Sequence, residues 1–109
     1  MERIEIRMHN NKTDGSRVYS GRPTGEKVRK KIKLDVKDFD DKSYCFLFPI
    51  DTVSINSSYF GGMLEESVIR LGRKKFCEKY TFCYDTREEL KQSLLDNIEE
   101  GISDALKEF

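Results

Sequence analysis

Tyr44-Cys45-Phe46-Leu47-Phe48-Pro49, followed shortly by Ile55-Asn56-Ser57-Ser58-Tyr59-Phe60-Gly61-Gly62-Met63-Leu64, decides the fold of this chain. The first run has no polar relief, which fits a strand covered on both faces in a sheet flanked by helices. Pro49 closes it, because proline has no N–H for a ladder. In the second run the spacing Phe60, Leu64, Val68, Leu71 is one helix face. Ser57 and Ser58 therefore fall where a strand hands over to a helix. A helix start carries unpaired N–H groups and a partial positive charge, so it suits a serine cap or an added phosphate equally well. The helix is expected over about 58–71 with Ser58 as its cap, and Gly72 is placed to end it in a left-handed conformation. Gly61 and Gly62 each cost roughly 1 kcal/mol of helix stability relative to alanine. Such a pair points to close approach of another backbone or a partner.

Working outward, residues 3–9 alternate Ile4, Ile6 and Met8 with Arg3, Glu5 and Arg7, the period of a strand with one buried face. Asn10-Asn11-Lys12-Thr13-Asp14-Gly15-Ser16 is dense in turn formers and reads as a loop. Thr24 looks like the cap of a helix over 25–33, with Val28 and Ile32 on one face. A polar connector follows over 35–42, with Val36 and Phe39 expected to dip inward. Residues 73–80 form a further helical turn with Phe76 and Tyr80 inward, and 81–84 a short strand. Thr86-Arg87-Glu88-Glu89 has the pattern of a capping box. The helix it would open carries Leu90, Leu94, Ile98, Ile102, Ala105 and Phe109 on one stripe. This alternation predicts an α/β protein, a small mixed sheet packed with helices. At 109 residues it is one domain with one modest core.

Lysine plus arginine and aspartate plus glutamate balance at 20 each, so no global charge favours nucleic acid or an anionic membrane. No stretch approaches a membrane span, and the opening Met1-Glu2-Arg3-Ile4-Glu5-Ile6 lacks the apolar core of a signal peptide. Cys45, Cys77 and Cys83 form no CxxC pair, and His9 is the one histidine, so neither a zinc site nor a histidine-assisted nucleophile is expected. Reduced thiols in a cytoplasmic protein are the simplest reading. Carboxylates are spread over helix surfaces, and no catalytic constellation or cofactor motif emerges. Gly21-Arg22-Pro23-Thr24-Gly25-Glu26-Lys27 fails the spacing of a phosphate loop and reads as a turn with a helix cap. Its Arg22, together with Arg29, is a candidate anion contact. Lys27, Arg29, Lys30, Lys31 and Lys33 read as the solvated face of a short helix. His9 reads as a surface or edge histidine without a partner.

The segment Asp51-Thr52-Val53-Ser54-Ile55-Asn56-Ser57-Ser58-Tyr59-Phe60-Gly61-Gly62, continuing through Leu71-Gly72 and Lys75-Phe76-Cys77-Glu78-Lys79-Tyr80-Thr81-Phe82, resembles the STAS-like family of unknown function. So does Gly21-Arg22-Pro23-Thr24-Gly25-Glu26-Lys27-Val28-Arg29. These small bacterial proteins are related in pattern to the anti-sigma-factor antagonists. The resemblance implies a STAS-like fold and a regulatory role by protein binding. The partner it implies is a histidine-kinase-like ATPase. In the antagonists the corresponding turn reads Asp-Ser-Ser/Thr-Gly, and its second hydroxyl residue is phosphorylated. The resemblance sets Asn56 at the acidic position, Ser58 at the phosphoacceptor and Tyr59 at the glycine, with Ser57, Ser58, Gly61 and Gly62 as the switch or partner-binding surface. The reading from a different class is a small module for an anionic ligand or nucleotide, using Arg22 and the helix start near Ser58.

Overall fold

The computed structural model describes residues 3–9 and 17–107. β3 (Tyr44–Phe48) is buried at every position and lies between β1 (Ile4–Arg7) and β5 (Tyr80–Tyr84), parallel to both. Strand side chains alternate between faces. Tyr44, Phe46 and Phe48 enter the core cluster. Cys45 and Leu47 take the opposite face. Ladder partners stack in the core, with ring centroids 5.2 Å apart for Phe46 and Phe82 and 5.8 Å for Tyr44 and Tyr80.

A second, two-stranded parallel sheet pairs β2 (Val18–Tyr19) with β4 (Ser54–Ile55). Val53 N–H donates to the Arg17 carbonyl at 2.9 Å and Asn56 N–H to the Tyr19 carbonyl at 2.8 Å. β2 runs almost directly into α1 (Arg22–Lys31), and β4 into α3 (Ser57–Lys79). Because the two short strands are parallel neighbours, their helices emerge side by side. Between α1 and β3 lies a single helical turn, α2 (Leu34–Lys37). α4 (Gln92–Leu106) packs on α3 through Leu94, Ile98, Ile102 and Ala105, all buried. The expected α/β architecture, helices packed on sheet, is present, but in place of one mixed sheet the described residues form two, and every strand pair in them is parallel.

Several local expectations are corrected. α1 starts at Arg22, with Gly21 as its N-cap at φ 90° and Pro23 in the first turn, so Thr24 lies inside the helix. The fixed φ of proline suits that first turn. The N-cap of α3 is Asn56, which places Ser58 in the helix. Thr86 opens no helix: the chain folds back from β5 through Arg87 at φ 71°, with Tyr84 N–H donating to the Glu88 carbonyl at 3.0 Å. The turn out of a strand overrides the local capping pattern, and α4 begins at Gln92. Val36 and Phe39 are exposed, and the Arg70 guanidinium lies 4.7 Å from the Phe39 ring. Gly72 does break the helix, at φ 81° and ψ 161°, and helix resumes to Lys79. The space around Gly72 is open, so the positive φ is what calls for glycine there. The loop expected at 10–16 and the stripe position Phe109 lie outside the described residues. No helix among the described residues is long and apolar enough to cross a membrane.

Candidate functional site

The N-termini of α1 and α3 meet where β2 and β4 end. Neither helix has a side-chain cap. Asn56 places its amide oxygen 3.4 Å from the Ser54 hydroxyl instead of capping. The Ser58 hydroxyl accepts the Gly21 N–H at 3.3 Å, so it reaches across to the cap residue of α1 while standing in the first turn of α3. Ser58 is exposed and Ser57 half-buried. Tyr59, which follows them, is fully buried and meets Tyr19 edge to face at 5.4 Å. Burial, then the neighbouring Tyr19, push its phenol pKa up. The ring therefore sits in the core and leaves the Ser58 hydroxyl uncovered by its own neighbour.

Gly61 and Gly62 are both buried beneath α1. A Cβ on Gly62 would lie 2.2 Å from the Arg22 carbonyl oxygen, and one on Gly25 2.3 Å from the Tyr59 carbonyl oxygen. The two helices thus cross backbone to backbone, and the close approach expected of the glycine pair is made by the chain's own α1. A Cβ on Gly61 would instead lie 2.5 Å from the Arg22 guanidinium, which rests on this glycine and bonds Glu65 at 3.3 Å. Gly61 lies three residues beyond Ser58, on the same helix face. Ser57, Ser58 and Arg22 therefore lie on one surface, with Gly61 beneath the Arg22 guanidinium and Gly62 beneath α1 as its support.

Arg29 is placed elsewhere. It is 5% exposed, and all five of its N–H donors have acceptors. Nη1 bonds the Met63 carbonyl at 2.9 Å and the Ser67 hydroxyl at 2.8 Å. Nη2 bonds Asp38 at 2.8 Å and Asp35 at 2.7 Å, and Nε bonds Asp35 at 3.1 Å. Burial works to lower its pKa, but Asp38 and Asp35 outweigh this and the net shift is upward. The guanidinium serves an internal network and has no donor left for an external anion. The remaining members of the basic run, Lys27, Lys30, Lys31 and Lys33, are exposed as expected.

The centre of that network is Asp38, whose carboxylate is fully buried. Besides Arg29 it accepts the Ser67 and Tyr80 hydroxyls, each at 2.7 Å, and Arg70 at 3.2 Å. Burial and the contact with Asp38 raise the Tyr80 pKa, so its phenol remains a donor. This group escaped the sequence reading. One signal was present: Ser67 falls on the buried stripe of α3 between Leu64 and Leu71, where a polar side chain demands a buried partner. His9 is also corrected, since its Nε2 lies 3.0 Å from the Asp85 carboxylate, bringing together the ends of β1 and β5.

No family model, curated protein or solved structure matches this chain. The chemistry of the site therefore rests on its geometry. Two helix starts favour negative charge, and the Arg22 guanidinium beside them is paired with Glu65. An exposed hydroxyl lies among them.

Proposed function

We propose that the protein is a regulatory domain that binds another protein through the surface formed by Ser57, Ser58 and Arg22, with Gly61 beneath it. Ser58 is its phosphorylation switch, in the manner of the anti-sigma-factor antagonists that the sequence resembles. The observation that carries this reading is the position of Ser58, an exposed hydroxyl at the junction of two helix N-termini. A dianionic phosphate on an exposed helix start gains roughly 0.3–1 kcal/mol from each helix end it approaches. It also competes for the Gly21 N–H and for Arg22, which changes the shape and the charge of the surface together. The resemblance points to a histidine-kinase-like ATPase as the partner and the kinase.

The test is a pull-down from native cell extract with wild type, Ser58→Ala and Ser58→Asp. The proposal expects Ser58→Ala to recover the partner and Ser58→Asp to lose it. Equal recovery by all three would leave Ser58 a structural residue only.

A second reading, a small module for an anionic ligand or nucleotide, is supported by the absence of side-chain caps on both helices. It predicts that nucleotide raises the melting temperature of wild type and fails to do so in Arg22→Ala. No shift in wild type at millimolar nucleotide would dispose of it.

A further inference from the structure

The sheet face opposite the core holds a pair of thiols. In the parallel ladder Cys45 is opposite Thr81, and Leu47 is opposite Cys83. Cys45 and Cys83 are therefore diagonal neighbours on adjacent strands, on the same face, since side chains two apart share a face. Their Sγ atoms are 3.0 Å apart. A disulfide requires a separation of about 2.0 Å, so bonding needs the sulfurs to close by roughly 1 Å. Cys45 is buried, while Cys83 is half-buried and can be reached from solvent. Glu5, the β1 partner of Cys45, forms a bidentate ion pair with Arg87, and on Cys83 the Glu5 charge, which raises its pKa, outweighs that of Arg87, which lowers it. That exposed ion pair flanks the thiols.

We infer that Cys45 and Cys83 are a reversible disulfide site, which exchanges with a small-molecule disulfide and cross-links the central strand β3 to β5. The steps balance. Cys83 loses its proton to solvent, and its sulfur attacks one sulfur of the reagent disulfide. The reagent S–S bond breaks, and one reagent thiolate leaves and takes up a proton. Cys45 then loses its proton, and its sulfur attacks the Cys83 sulfur of the mixed disulfide. The protein S–S bond forms as the second reagent thiolate departs and is protonated. Two protein thiols are oxidised, and one reagent disulfide is reduced to two thiols. Geometry favours the second step, because the resolving sulfur already lies beside its target.

Burial, then the contact with Cys45, push the Cys83 pKa up to about 12. The attacking thiolate is therefore scarce at neutral pH, and the rate of bridging rises with pH in proportion to it, about tenfold per pH unit below that pKa.

The test uses full-length protein carrying Cys77→Ser, because Cys77 is exposed on α3 and would link chains to one another. The probe is glutathione disulfide, followed by alkylation under denaturing conditions and intact mass analysis. The expected product has lost two hydrogens, carries no alkyl group and no glutathione, and returns to the dithiol with excess reductant. Its formation accelerates with pH. Recovery of two alkylated thiols, or of a stable glutathione adduct on one cysteine with the other free, overturns the inference and leaves a pair that only packs. Adding Cys83→Ser must abolish the product. If that variant does not fold, the product formed by Cys77→Ser alone still decides, because only Cys45 and Cys83 remain in it.

Discussion

The backbone of α3 at Gly62 is in direct contact with the backbone of α1 at Arg22: a Cβ on Gly62 would lie 2.2 Å from the Arg22 carbonyl oxygen and 3.0 Å from Glu26 N. Neither of those groups can move without shifting a helix. Gly62→Ala should therefore destabilise by about 1–3 kcal/mol, the range for overpacked sites. Gly61→Ala behaves differently, because the atoms nearest its added methyl belong to the movable end of Arg22. It should be neutral or stabilising by up to about 1 kcal/mol through helix propensity, while displacing the Arg22 guanidinium. Urea unfolding of the two variants checks the contrast, and equal losses would refute a backbone contact confined to Gly62.

Phe46 is fully buried at the centre of the three-stranded sheet, between Phe82 and Tyr80. Phe46→Ala should cost about 3–5 kcal/mol, a large part of the stability of a domain of this size. A loss below about 1 kcal/mol in chemical denaturation would be inconsistent with this burial.

Asp38 neutralises Arg29 in the interior, and its removal leaves a buried guanidinium with only the rim carboxylates Asp35 and Glu66 beside it. Asp38→Ala should destabilise by about 3–5 kcal/mol. Tyr80→Phe removes one donor from Asp38 and should cost about 1–3 kcal/mol. Asp35 is exposed but accepts two N–H groups of the buried Arg29, so Asp35→Ala should cost about 1–3 kcal/mol, less than Asp38→Ala. Thermal or urea melts of the three variants give the ranking, and an Asp38→Ala protein as stable as Asp35→Ala would contradict the network.

Asp40 gives acid stability a defined window. Burial would raise its pKa, but the Lys79 ammonium at 2.7 Å and the Tyr44 hydroxyl outweigh that and lower it from 3.8 to about 2. A carboxylate with a depressed folded-state pKa contributes stability that is complete above its unfolded value, and that stability is lost as pH falls through the folded one. The contribution should thus be present above about pH 4 and disappear towards about pH 2, an effect on the order of 1–2 kcal/mol. Asp40→Asn should flatten the stability profile in that interval. Urea midpoints across it, for both proteins, are the measurement, and parallel profiles would exclude Asp40 as the source.

Local patterns were legible wherever one segment's own periodicity dictated its structure. The apolar run at Tyr44–Phe48, the stripe on α3, the break at Gly72 and the stripe on α4 all follow from side-chain period and from the φ that glycine alone takes easily. Helix starts were read less well. Thr24, Ser58 and Thr86 all have capping chemistry, yet the helices begin at Arg22, Ser57 and Gln92. The exit angle of the preceding strand or turn, rather than the best available hydroxyl, sets where each helix can start.

The amino-acid sequence by itself determined the main strands and helices (though not α2 or β4), the buried central strand and the pair of hydroxyls at the head of a helix, because each depends on residues within a turn or two of one another. Only the tertiary structure decided what those residues do. It turned the Gly61-Gly62 pair inward against α1, assigned Arg29 to Asp38 and Ser67, sent the Tyr59 ring into the core, set Ser58 against Gly21 and brought Cys45 to Cys83. Each of these is a contact between distinct elements of the fold. Its partners are chosen by how parallel strands register and how closely two helices cross, and neither quantity is written in local periodicity.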